Sequence, residues 1–177
     1  MIPNLLSFFR ILSVVPIITL FYFQFYYAAA SLFLVAALTD FFDGFIARKF
    51  DQETDFGSLL DLMADKILVS SMLIWFIFTF DNLLIFISAY LIILRELIIS
   101  SLRVHFLSKA KSLELIKPNF LGKLKTTIQL IAIALILIAP VFNNTYLVFA
   151  AIVLFLSALL SLISLQNYYS SWNEDKN

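Results

Sequence analysis

Long apolar runs alternate with short polar breaks along the whole chain. Six runs can be read, over residues 5–25, 28–48, 57–80, 83–103, 122–141 and 146–166. The breaks fall at Gln24–Tyr27, Lys49–Asp55, Asp81–Asn82, the polar stretch 103–121, and Asn143–Asn144. About 20 mostly apolar residues suffice for a helix to cross a bilayer. Lipid admits only helices or closed barrels, and these runs are too long for barrel strands. No β-alternation and no internal repeat is evident. The pattern predicts an all-α fold, an integral membrane bundle of six transmembrane helices. It forms a single membrane domain over residues 1–177. Ala28-Ala29-Ala30 resembles a signal-peptide cleavage site, but the first run is long enough to span and apolar from its start.

Composition sharpens this picture. Apolar residues make up 62% of the 177 and charged residues 14%, and the mean hydropathy is +0.98. A soluble domain of this size has no interior large enough for that much apolar surface. A secreted disulfide scaffold, a nucleic-acid-binding module and a disordered chain are excluded. There is no Cys, hence no thiol nucleophile or thiolate metal site. Net charge is zero, so the placement of the charges carries the information. With six spans both termini share a side. Arg10, Arg48, Lys49, Arg103, Lys109, Lys111, Lys117, Lys123, Lys125 and Lys176 all fall on it, and the opposite breaks contain no Lys or Arg. The positive-inside rule makes that side, with both termini, cytoplasmic.

Four acids stand where apolar residues are expected. Asp40 and Asp43 close the second run; Asp61 and Asp65 open the third. A carboxylate at the bilayer centre costs about 2.5–3.5 kcal/mol on insertion scales. Four together also repel, so they call for a wet cavity and a cation. The i,i+3 and i,i+4 spacings put each pair on one helix face. The short 49–56 turn predicts that the two helices are antiparallel neighbours, so all four acids converge. All-oxygen ligation suits Mg²⁺ or Mn²⁺. His105, the only His, is distant in sequence and reads as an interfacial residue. Gly44, Ala47 and Gly57 remove bulk beside the acids, for a ligand or for tight helix packing. Arg48 lies one turn beyond Asp43, placed for an acid or a phosphate.

Residues 40–65 read Asp40-Phe-Phe-Asp43-Gly44-Phe-Ile-Ala47-Arg48, eight residues, Gly57-Ser-Leu-Leu-Asp61-Leu-Met-Ala-Asp65. This D-x2-D-G-x2-A-R-x8-G-x3-D-x3-D pattern resembles the signature of the CDP-alcohol phosphatidyltransferase family. Pro3-Asn4-Leu-Leu-Ser7-Phe-Phe-Arg10, Arg95-Glu96 and Gly122-Lys123-Leu-Lys125-Thr126-Thr127-Ile-Gln129 are similar to the bacterial branch that makes phosphatidylglycerophosphate. Leu62 departs from the usual Pro after the third Asp, and the loop 103–121 is short.

The resemblance implies transfer of a phosphatidyl group from CDP-diacylglycerol to sn-glycerol 3-phosphate, with release of CMP. It implies two divalent ions held by Asp40, Asp43, Asp61 and Asp65, with Asp65 also the candidate general base. It places Gly44, Arg48 and Gly57 around the CDP moiety, with Asn4 a further candidate there, and it implies a homodimer in the bacterial cell membrane with its site facing the cytoplasm. Arg95, Arg103, Lys123 and Lys125 are the cations available for the acceptor phosphate. An ion pair of Arg95 with Glu96 is the competing reading, although adjacent helical residues point apart. Asn4 and Arg10 are placed for nucleotide contact, capping or anchoring. Lys66 is placed for charge balance or substrate contact, and Thr126, Thr127 and Gln129 for helix–helix hydrogen bonds. Cardiolipin and phosphatidylinositol-phosphate synthesis are the alternatives within the family. Divalent-cation transport is the alternative outside it, disfavoured because the acids cluster at one end of two helices.

Overall fold

A computed structural model describes residues 2–49, 55–108 and 120–174; side chains at the margins of these segments, those of 40–49, 103–108 and 120–123 included, lie outside the description. Among the described residues there are six α-helices and no strand: α1 (Ile2–Tyr22), α2 (Tyr26–Lys49), α3 (Asp55–Thr79), α4 (Leu83–Ser108), α5 (Phe120–Ile138) and α6 (Asn144–Glu174). Five carry apolar stretches long enough to cross a bilayer: Leu5–Tyr22, Leu60–Thr79, Leu83–Leu102, Leu124–Val141 and Asn144–Gln166. The described apolar part of α2 is shorter, Tyr26–Thr39, about 21 Å at the helical rise. It ends where the acids begin at Asp40.

Short turns with specific chemistry join the helices. At the end of α1, Phe25 N–H donates to Leu20 C=O and Gln24 N–H to Phe21 C=O, which is a Schellman closure. It requires a left-handed residue, and Gln24 supplies it at φ 67°. Asn82 opens α4, its Oδ1 accepting from Leu84 and Ile85 N–H at 3.0 and 3.2 Å. A 3-10 turn at Ala139–Val141 ends α5, and Asn143 Oδ1 then accepts from Tyr146 N–H to start α6. Each cap satisfies backbone donors that lipid could not.

The helices form two groups of three. Helix α1 packs on α2 and α3, and α6 packs on α4 and α5; contacts of α2 with α5 and of α3 with α4 join the groups. Among the described residues α2 and α3 barely touch. The two helices still meet, and α1 lies against both and shares their packing. Alanines 29, 36, 64, 89, 132, 150, 151 and 158 are buried between helices, while Leu5, Leu12, Val15, Phe78 and Leu83 face outward. Bulky apolar side chains meet lipid, and small ones let backbones approach. Larger side chains such as Ile17, Phe33, Met72, Phe76 and Ile133 fill the remaining interior.

Candidate active site

The first turns of α1, α3 and α5 and the last turns of α4 and α6 lie at one end of the bundle, where Arg10 meets Asp61 and Asp65, Lys125 meets Glu96, and Arg95 meets Ser164. Among the described residues Arg10, Asp61, Asp65, Lys66, Arg95, Glu96 and Lys125 collect there. Helix α3 presents Asp61 and Asp65 one turn apart. Opposite them α1 presents Arg10, which has no solvent exposure. Its Nη1 donates to Asp61 Oδ1 at 3.0 Å and to Asp65 Oδ1 at 2.7 Å. The carboxylates themselves are 37% and 49% exposed. The site is therefore a buried guanidinium under two acids that open outward.

A second charged cluster joins α4, α5 and α6. Glu96 Oε1 accepts from Arg95 Nη1 at 2.7 Å and from Lys125 Nζ at 2.8 Å. Arg95 Nη2 also reaches Ser164 Oγ on α6, at 3.3 Å. Both cations are nearly buried, and Glu96 is about a quarter exposed. Lys66, next to Asp65, donates to Ser100 Oγ on α4. Between the two clusters lies a cavity of about 200 Å³, lined by Asp65, Lys66, Glu96, Thr126 and Gln129 along with apolar residues including Leu62, Leu68 and Ile92. Its lining residues are about half polar or charged and half apolar.

The structure thus brings Asp61 and Asp65 together, as their spacing predicts. Gly57 is half-buried in the first turns of α3. Asp40, Asp43, Gly44, Arg48, Asn4, Arg103, His105 and Lys123 lie outside the described side chains. The pairing of Arg95 with Glu96, which adjacency argues against, does form. Both side chains are long enough to bend to a common point, and a buried guanidinium without a counter-ion is costly. Arg10 is the residue whose part the sequence understated. An arginine in an apolar run, ten positions from the start, is itself a signal that something must balance it. Its partners lie 51 and 55 residues away, beyond the reach of local spacing.

The donor chemistry fits a hard divalent cation. Asp61 and Asp65 turn one oxygen each toward a single nitrogen of Arg10, so their negative charge converges on a point already held by a cation. Both remain open to water, which suits an ion that keeps part of its hydration shell. Among the described residues no third acid or His joins them.

The fold and site together are those of an integral membrane protein with paired acids at one end, beside a cavity lined half by polar residues. The chain belongs to the CDP-alcohol phosphatidyltransferase family, whose model matches residues 1–163. It is 40% identical to the CDP-diacylglycerol–glycerol-3-phosphate 3-phosphatidyltransferase of Wigglesworthia glossinidia brevipalpis, across 98% of this chain and 96% of that one. It is 36% identical to the Escherichia coli (strain K12) protein of the same name, with the same coverage. The fold also matches the apo crystal structure of Mycobacterium tuberculosis phosphatidylinositol phosphate synthase. That match has a TM-score of 0.69 and 20% identity, over 96% of this chain and 87% of that one.

Proposed function

We propose that this protein transfers the phosphatidyl group of CDP-diacylglycerol to sn-glycerol 3-phosphate, giving phosphatidylglycerophosphate and CMP. The observation that carries the reading is the convergence of Asp61 and Asp65 on Arg10 at the edge of the cavity. These acids form the second half of the family motif, in a chain similar over nearly its full length to relatives bearing that name.

Asp40, Asp43, Asp61 and Asp65 would hold Mg²⁺ or Mn²⁺, two ions in all. The bound ions would neutralise the donor pyrophosphate, polarise its β-phosphorus and stabilise the departing CMP. Arg10 balances the acids from beneath and keeps Asp65 turned toward its partner. Asp65, which lines the cavity, accepts the proton of the attacking hydroxyl. As the new oxygen–phosphorus bond forms, the bond from the β-phosphorus to the bridging oxygen breaks, and CMP takes that electron pair. Position rather than base strength qualifies Asp65 for this task. Gly44, Arg48, Gly57 and Asn4 surround the CDP moiety.

The acceptor phosphate falls to Lys123 and Arg103, with Lys66 on the cavity wall. Arg95 and Lys125 contribute positive charge from behind Glu96. The distribution of Lys and Arg supports an active site facing the cytoplasm of a bacterial cell membrane. Outward apolar faces such as those carrying Phe78, Leu83 and Tyr90 serve lipid or a second copy in a homodimer.

The test uses purified protein in detergent with CDP-diacylglycerol and Mg²⁺. Glycerol 3-phosphate, serine, inositol phosphate and phosphatidylglycerol are offered in parallel, and CMP and lipid product are followed by mass. The expected product is phosphatidylglycerophosphate from glycerol 3-phosphate alone, lost with EDTA. Product from another acceptor would overturn the acceptor assignment and leave the chemistry. No CMP from any acceptor, with folded protein, would overturn both.

A further inference from the structure

Glu96 carries charge that the mechanism above leaves unused. Arg95 and Lys125 both donate to the same oxygen, Oε1. The other oxygen, Oε2, accepts no hydrogen bond among the described residues. Yet Glu96 lines the cavity, together with Asp65, Thr126 and Gln129. A carboxylate gripped on one oxygen by two nearly buried cations is held in a single orientation. Its second oxygen can only accept. A phosphate brought against it would meet like charge, whereas a hydroxyl would supply the missing donor. The cavity is therefore asymmetric: Glu96 repels an anion and Lys66 attracts one.

We propose that Glu96 is a specificity-determining residue that accepts a hydrogen bond from the non-reacting hydroxyl of a polyol phosphate acceptor. The reacting hydroxyl then faces Asp65, and the phosphate faces away from Glu96. On this assignment Arg95 and Lys125 are positioning residues that hold the carboxylate, and they do not themselves grip the acceptor. Glu96 has this role only if the acceptor is the one proposed above, so the test separates the two ideas.

Two acceptors are compared: sn-glycerol 3-phosphate, and 3-hydroxypropyl phosphate, which keeps the phosphate and the primary hydroxyl but lacks the secondary one. A site built around a hydroxyl rejects the analogue without it, because the carboxylate oxygen is left without the donor it is set to meet. Wild-type protein should prefer glycerol 3-phosphate by about ten- to a hundredfold in kcat/KM. In Glu96→Gln the two cations claim the amide oxygen, so an NH2 faces the cavity in place of an acceptor. The preference should fall by about tenfold, chiefly through the KM of glycerol 3-phosphate, with the KM of CDP-diacylglycerol unchanged. Equal slowing with both acceptors, the preference intact, would overturn the assignment and leave Glu96 a brace between helices. If Glu96→Gln does not fold, Glu96→Asp keeps the charge and withdraws the oxygen by about one bond length. It should also lose preference, and an undiminished preference there overturns the assignment equally. No product from glycerol 3-phosphate in the wild type would overturn the acceptor reading itself, and the role of Glu96 with it.

Discussion

Replacing Arg10 by Gln tests how the acid pair is held when no divalent ion is bound. Arg10 is wholly buried and donates to both Asp61 and Asp65. Removing one partner of a buried ion pair typically costs about 3–5 kcal/mol, because the other charge is left uncompensated. Here the acids left behind are 37% and 49% exposed, so water recovers part of that loss. A net cost of about 2 kcal/mol is expected once this screening is discounted. For a chain of this size about 2–4 °C accompanies each kcal/mol, which puts the fall in Tm near 4–8 °C. The assay is thermal unfolding in detergent, once with EDTA and once with saturating Mg²⁺. A dication between the same acids takes over the guanidinium's electrostatic work, and binding to the native state alone stabilises it by mass action. The variant should therefore lose its full increment in EDTA and about half or less in Mg²⁺. An equal loss in both conditions would refute the idea that Arg10 and the ion share one pair of acids. No loss in EDTA would refute the stabilising pair itself.

Asp61→Asn should reduce turnover to background and weaken Mn²⁺ binding read by paramagnetic resonance; near-normal activity would remove the acid cluster from the mechanism. Lys123→Ala should raise the acceptor KM by about tenfold or more, the worth of one charge-assisted hydrogen bond, while the CDP-diacylglycerol KM stays put. An unchanged acceptor KM would make this lysine a membrane anchor. Gln24→Gly should raise thermal stability by about 1 kcal/mol, because Gln24 sits at φ 67°, where a side chain is unfavourable and glycine is not. A lower Tm would show that the Gln24 side chain contributes more than its backbone costs.

The helices were legible in the sequence because partition into lipid is a local property. Apolar runs of about 20 residues announce spans whatever their neighbours, and Asn82 and Asn143 mark where two of the runs turn. The acids at the facing ends of the second and third runs were equally plain, since Asp61 and Asp65 lie one turn apart on any helix. Which helix packs on which was not legible. A soluble helix shows an apolar stripe that identifies its buried side. These helices are apolar on both sides, with Ile17 and Met72 inside and Leu12 and Phe78 outside, so the pattern loses that information. The short 49–56 turn predicted that α2 and α3 are antiparallel neighbours, but it gave no sign that α1 lies against both of them.

The tertiary structure alone decided the partners of the charges. Arg10 finds Asp61 and Asp65 more than 50 residues away, and Lys125 finds Glu96 at a separation of 29. Spacing rules compare residues on one helix, whereas these pairs depend on which faces of different helices meet. They form because a buried charge in lipid has no water to fall back on and must be met by whichever opposite charge the packing brings within reach. The residue types therefore announced that compensation was needed, and the folded bundle settled which residues provide it.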